Sequence, residues 1–296
     1  MAGEAEKVYE SRGDQAGAGP IIRVENVTKS YGDKRVLEEV SFSISRGERL
    51  VIMGNSGCGN STMLKMMTGL EPVDAGAISF FGRNIVGLDA ESMDSIRVRF
   101  GVLFQSGALF GSMTAGENVA FPMQEHTALA PSVIDIMVRM KLAMVGLAGY
   151  EDKMPSTLSG GQAKRVGLAR AIALDPEIIF YDEPTSGLDP VTAANIDGLI
   201  LDLSRKLKVT SVVVTHDMIS AFKIADHIVM LHNRRVVESG TPETIRGSTN
   251  PAVQQFIRGE IEGPMTMGDE QEELERDFLA PAAGGEKPAR PWWYPW

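Results

Sequence analysis

Apolar residues follow two rhythms along this chain. Arg49 to Met53, Ile178 to Tyr181 and Ser211 to Thr215 are short, nearly unbroken apolar runs, the pattern of parallel strands buried on both faces. From Val133 to Leu147 the apolar positions Ile134, Met137, Val138, Leu142 and Val145 fall at helical spacing. Further helices are predicted from Ala163 to Ala173 and from the glycine-rich segment after Met53 through about Thr68. Near Val24, Phe42 and Ile78 to Phe81 there are short β-rich stretches separated by turn signals such as Gly32-Asp33 and Arg46-Gly47. The chain therefore reads as α/β.

Two of the apolar runs end in polar chemistry. Ile178-Ile179-Phe180-Tyr181 stops abruptly at Asp182-Glu183, and the carboxyl edge of a parallel sheet is where phosphate chemistry sits. There Asp182 would bind Mg²⁺ through water and Glu183 would polarise an attacking water as general base. The run ending at Met53 feeds Gly54-Asn55-Ser56-Gly57-Cys58-Gly59-Asn60-Ser61-Thr62, a phosphate loop with one replaced residue. Its glycines let backbone N–H groups converge on phosphate oxygens, and Ser61 is placed to ligate Mg²⁺.

Where the phosphate-loop pattern requires lysine, this chain has Asn60. Lysine carries a charge to the β- and γ-phosphates on a long stem, whereas asparagine is neutral and shorter. Losing one partner of a desolvated charge pair costs roughly 2–5 kcal/mol, and a comparable loss in the transition state slows turnover roughly 10²–10³-fold. Every surrounding glycine and both hydroxyls remain, so the expectation is an intact architecture with impaired nucleotide binding, impaired hydrolysis, or both.

About twenty residues before the acidic pair stands Leu158-Ser159-Gly160-Gly161-Gln162. Alone it would serve equally as a capped turn. Followed by Asp182-Glu183-Pro184 and then Ser186-Gly187-Leu188-Asp189-Pro190, it resembles the signature of the ATP-binding-cassette (ABC) ATPases. The resemblance covers roughly residues 21–259, with six motifs in order. It implies that Tyr31 stacks on adenine, that Gln105 senses Mg²⁺ and the γ-phosphate, that His216 contacts the γ-phosphate, and that Asp189 belongs to the D-loop. It also implies a parallel core sheet, an antiparallel β subdomain near the start, and a helical subdomain inserted at about 106–175. ATP held by Gly54 to Thr62 of one copy is then covered by Ser159, Gly160, Gly161 and Gln162 of a second. His126, His227 and His232 have no such context and read as packing or surface residues.

Composition fits one two-lobed cassette. The 296 residues are 43% hydrophobic, ample for a core, and no apolar stretch approaches the roughly 20 residues needed to span a bilayer. The amino-terminal segment lacks the apolar core of a signal peptide, so the expected location is cytoplasmic. Cys58 is the single cysteine and reads as a packing residue in a reducing compartment. The net charge of −10 argues against a nucleic-acid partner. Seven acids and no bases lie between Glu260 and Glu275. Residues 1–20 read as a flexible leader and 260–296 as an acidic, Pro/Trp-rich tail whose last five residues hold all three tryptophans. Docking of those aromatics on another subunit and a tail with no partner stand equally open.

Leu103-Phe104-Gln105-Ser106-Gly107-Ala108-Leu109-Phe110, Asn118 to Pro122, Glu125-His126-Thr127 and the segment from Asn250-Pro251 to Pro264 are similar to the ATPase of the Mla-type, MCE-associated phospholipid transporters. That resemblance implies a motor peripheral to the inner membrane, bound to a permease dimer and through it to an MCE-domain protein, in many members with a small STAS-domain protein, and phospholipid as cargo. Three other readings remain: an ABC importer or exporter motor for another substrate; an ABC ATPase of DNA or ribosomes, for which the fused cassettes or long coiled coils are missing; and a nucleotide-responsive regulator that does not hydrolyse, made plausible by Asn60.

Overall fold

The computed structural model describes residues 19–55 and 57–265. Residues 1–18 of the expected leader, 266–296 of the expected tail, and Ser56 lie outside the described residues. In chain order the strands are β1 (Ile22–Tyr31), β2 (Lys34–Ile44), β3 (Arg49–Gly54), β4 (Ala75–Phe80), β5 (Arg83–Asn84), β6 (Phe100–Leu103), β7 (Ile178–Asp182), β8 (Thr210–Val214), β9 (His227–His232) and β10 (Arg235–Gly240). The helices are α1 (Asn60–Met67), α2 (Ala90–Arg97), α3 (Ala115–His126), α4 (Pro131–Met144), α5 (Gly160–Ala171), α6 (Pro190–Leu207), α7 (Met218–Ile224), α8 (Pro242–Arg246) and α9 (Pro251–Arg258).

Two sheets result. The first is antiparallel and four-stranded, in the order β2-β1-β4-β5, with β1 and β2 joined through the predicted Gly32-Asp33 turn. The second has six strands in the order β10-β9-β3-β8-β7-β6, parallel throughout except for β10 against β9. Strands β3, β7 and β8 are the three apolar runs of the sequence, and their composition follows from what covers them. Leu50, Ile52, Ile178 and Phe180 point into a core shared with Val24, Ile44 and Phe80 of the antiparallel sheet. Val51, Met53, Ile179 and Tyr181 point the other way, into a second core with Val166, Ile196, Ile200 and Leu203 of the helices. Both faces are covered, so the strands do not alternate apolar with polar; their polar residues, Arg49, Asp182, Thr210 and Ser211, stand at the strand ends. Phe180 sits edge-on to Phe80 and Phe100, with ring centroids 6.1 and 5.3 Å away, a geometry that adds to its burial.

Residues 106–175 hold α3, α4, a single 3₁₀ turn at Pro155–Thr157 and α5, with no strand. Along α4 the predicted apolar face packs inward: Ile134, Val138 and Leu142 are buried, with Val145 just beyond, and Met137 is partly covered. Helix α5 starts at Gly160, three residues ahead of the expected Ala163, because Ser159 is its N-cap: the Ser159 hydroxyl accepts from the Gln162 amide and Gln162 Oε1 accepts from the Ser159 amide. This reciprocal box satisfies two otherwise orphaned donors and lets the glycine pair begin the helix. Among the described residues, no helix is long and apolar enough to cross a membrane.

Candidate functional site

At the carboxyl edge of the parallel sheet, a cleft of about 570 Å³ is lined by Gly54, Asn55, Gly57, Gly59, Asn60, Ser61 and Thr62 on one side, by Gln105, Glu183 and His216 on another, and by Val36 and Phe256. The loop between β3 and α1 makes the first wall. Gly59 has a φ of +100° and a Cβ there would come 2.6 Å from Leu37 Cδ2, so only glycine fits and the backbone can turn into the helix. Cys58 is buried beneath the loop, and that burial pushes its thiol up to about 11, in keeping with a packing residue rather than a nucleophile.

Asn60 is the first residue of α1. Its Nδ2 donates to the Gly54 carbonyl at a long 3.4 Å, and its Oδ1 is buried with no hydrogen-bond partner among the described residues. The side chain folds back over its own loop. A lysine would bring a charged donor to this wall; the neutral, shorter amide brings no charge, and its Nδ2 is turned to the loop's own Gly54 carbonyl.

The opposite wall carries the acidic pair and His216. Asp182 ends β7 with Oδ1 buried and unpartnered, and the Ser61 hydroxyl of the phosphate loop acts on its carboxyl group in favour of the ionised form. Burial, then the charge of Glu183, push the Asp182 carboxyl above the usual carboxylate range, against the pull of Lys65 and Ser61. Glu183 accepts from His216 Nδ1 at 2.8 Å and from the Thr215 hydroxyl at 3.4 Å. A carboxylate only accepts, so the His216 hydrogen in this contact lies on Nδ1. Glu183 stands in the left-handed region with φ 47°, a conformation that a non-glycine residue holds only when its surroundings over-determine it. Gln105 follows β6 and donates from Nε2 to the Ser186 hydroxyl at 3.3 Å.

Within one chain the structure gathers Gly54, Asn55, Gly57 to Thr62, Gln105, Asp182, Glu183 and His216, but not every residue expected at the site. Ser159 to Gln162 do not line the cleft, and Gln162 donates instead to the Tyr150 hydroxyl at 3.1 Å. Asp189 caps α6 by accepting from Val191 and Thr192 amides, each at 3.0 Å. Tyr31 closes β1 outside the cleft, 45% exposed, with Lys29 Nζ 5.3 Å from its ring centroid. Four contributors went unread in the sequence. Phe256 reaches the cleft from α9. Lys164, on α5, donates to the carbonyls of Glu183, Pro184 and Ser186. Buried Asn118 and partly buried Arg170 hold the segment after Gln105, Asn118 through Phe110 and Met113, and Arg170 through Gly107 and Ala108. All four lay in stretches singled out beforehand, but nothing in the local pattern marked them as contributors to the cleft or its supports.

Comparisons with known proteins agree with this geometry. Residues 37–186 match the ABC transporter family. The chain is 44% identical over 255 residues to the probable ribonucleotide transport ATP-binding protein Mkl of Mycobacterium tuberculosis, covering 86% of this chain and 71% of that one. It is 42% identical over 245 residues to the intermembrane phospholipid transport system ATP-binding protein MlaF of Haemophilus influenzae, covering 83% of this chain and 93% of that one. Among solved structures, a dimeric post-hydrolysis state of an ATP-binding cassette bound to ADP and Pi superposes with a TM-score of 0.69 at 33% identity, covering 75% of this chain and 98% of that one. With the phosphate loop, the strand-end acids and His216 on one cleft, the chain belongs to the ABC transporter family, as an ATP-binding subunit whose relatives include the Mla-type phospholipid transport ATPases.

Proposed function

We propose that two copies of this chain sandwich two ATP molecules and drive a membrane permease that moves phospholipid, and that Asn60 weakens the nucleotide grip of each copy. The observation that carries the sandwich is the split of the motifs: the phosphate loop, Glu183 and His216 share a cleft, while Ser159 to Gln162 lie away from it in the same chain. A second copy placed head-to-tail supplies them. The α5 N-terminus, with its backbone N–H groups and partial positive charge, then faces the γ-phosphate, and Asp189 meets the partner across the same interface. Tyr31, exposed at the end of β1, is free to stack on adenine.

Asp182, Ser61 and Gln105 are the residues that hold Mg²⁺, and the unpartnered buried Asp182 oxygen beside the Ser61 hydroxyl fits that role. When bound, the ion neutralises charge that develops between the β- and γ-phosphates. Glu183 takes the proton of the attacking water, and His216, held on Glu183 at 2.8 Å, keeps that carboxylate aimed and stands at the γ-phosphate. Without lysine at position 60, positive charge on the binding wall is reduced, so the open dimer is the resting state unless nucleotide is in large excess.

The phospholipid cargo rests on the similarity to MlaF over 93% of the length of that protein; the name of Mkl carries ribonucleotide transport instead. The nucleotide cleft is the same in either case. The subunit is peripheral on the cytoplasmic face of the inner membrane, joined through the permease to an MCE-domain protein and, in one arrangement, to a small STAS-domain protein. Purifying the chain with its membrane partners and identifying co-purified molecules by mass spectrometry tests the cargo: stoichiometric phospholipid supports the reading, and ribonucleotide bound to the permease instead overturns it. A second reading, a regulator that binds nucleotide without hydrolysis, is favoured by Asn60 alone. Phosphate release by the assembled Asn60→Lys complex decides between them.

A further inference from the structure

Lys164 is 5% exposed, and its ammonium sends three hydrogen bonds to backbone oxygens of one loop: the carbonyls of Glu183 at 3.1 Å, Pro184 at 2.8 Å and Ser186 at 2.7 Å. An ammonium has three donors, so this set satisfies it completely. Burial pushes the Lys164 ammonium downward, and the charge of Glu183 acts the other way. Desolvating a lysine is costly unless its charge is hydrogen-bonded, and here all of that compensation comes from one loop. The loop in question carries Glu183 in its left-handed conformation, φ 47°, and runs on through Gly187 to the Asp189 cap of α6. Other ties on Glu183 come from its own sheet edge: its amide donates to the Val214 carbonyl at 2.9 Å, and Thr215 and His216 hold the carboxylate. Lys164 is different in origin. It stands on α5 two residues after Gln162, on the helix whose first turn is the glycine-serine signature.

We propose that Lys164 is a positioning residue that locks the backbone of Glu183 to the signature helix, so that engagement of Ser159 to Gln162 by nucleotide in one half of the sandwich is felt at the catalytic carboxylate of the other half. The inference rests on the sandwich reading above. Helix α5 runs unbroken for 12 residues, and its capping box fixes Ser159 to the same element that carries Lys164. A small rotation of α5 on closing therefore moves three carbonyls of the Glu183 loop together. Catalysis is sensitive to such movements, since a misplacement of about 1 Å costs roughly 10²-fold.

The test uses the full chain with Asn60→Lys, with and without Lys164→Gln, Lys164→Met and Lys164→Arg. The expected result is a kcat for phosphate release roughly 10–100-fold lower in Lys164→Gln and Lys164→Met, with KM for ATP essentially unchanged and partial rescue by Lys164→Arg. Unchanged kcat, or a raised KM at unchanged kcat, overturns the inference. Hydrogen exchange at the amides of residues 183 and 185–188 is measured in parallel on the full chain as it stands and on its Lys164→Gln variant. Faster exchange confined to that loop supports the lock even if no protein in the series turns over ATP, an outcome that instead counts against the ATPase reading; unchanged exchange overturns the lock.

Discussion

The two walls of the nucleotide cleft differ in how many contacts support each polar group. On the hydrolytic wall Glu183 is held by its own amide, Thr215, His216 and the Lys164 ammonium. On the binding wall Asn60 makes one long bond and leaves an oxygen unpaired. The backbone beneath both is equally well built: β3 and β7 pair in the same parallel sheet through β8, and Gly59 keeps the turn that only glycine can make. A phosphate loop can thus keep its shape and lose its charge, because shape comes from glycine conformation and strand burial whereas charge comes from a single side chain.

The contrast breaks most sharply at Glu183. In an Asn60→Lys background, Glu183→Gln is expected to lower phosphate release roughly 10²–10⁴-fold, the usual contribution of a general base, with ATP affinity retained in equilibrium dialysis. Repairing the weaker wall comes next: Asn60→Lys alone should raise kcat/KM for ATP roughly 10²–10³-fold, read by phosphate release at saturating and limiting ATP. If the repaired chain gains nothing, the deficit lies elsewhere and the comparison of walls fails.

Smaller effects sharpen it. With its thiol pushed up to about 11, Cys58 under the loop should alkylate at pH 8 roughly 10²-fold more slowly than a free cysteine; rapid labelling would mean that the loop opens. The smallest effect concerns Asp197 of α6, 2% exposed, which accepts from Ser220 at 3.1 Å and Lys223 at 3.4 Å. Burial pushes its carboxyl above the usual range, with Ser220 and Lys223 offsetting part of the rise. Because the folded state then holds that proton more tightly than the unfolded state, ionisation destabilises the fold as pH rises above the ordinary carboxylate value. Asp197→Asn should raise Tm at neutral pH, and the gain should fade in the acid range. A gain that instead persists or grows on acidification contradicts the sign.

The sequence displayed the parts of this molecule that depend on local pattern. Strands β3, β7 and β8 were legible because burial on both faces leaves an unbroken apolar run, and α4 because one buried stripe repeats at helical spacing. The same was true of the residues at strand ends, since a strand delivers its next residue to the sheet edge. Lys164, Arg170 and Asn118 were not legible: each acts on backbone carbonyls far from or irregularly spaced in sequence, and a carbonyl acceptor leaves no trace in residue identity. Phe256 was missed for a related reason, as α9 reaches the cleft only through the packing of the chain after β10. The start of α5 was misplaced by three residues because two glycines read as loop until the Ser159 and Gln162 caps are seen to close on each other.

The central claim, that one copy completes the other's site, is tested most directly by a crystal structure of the Asn60→Lys, Glu183→Gln protein with ATP and Mg²⁺. The account predicts the Ser159 hydroxyl of one copy within hydrogen-bond distance of the γ-phosphate seated on Gly54 to Thr62 of the other. A nucleotide-bound assembly in which Ser159 stays remote from every phosphate would contradict it.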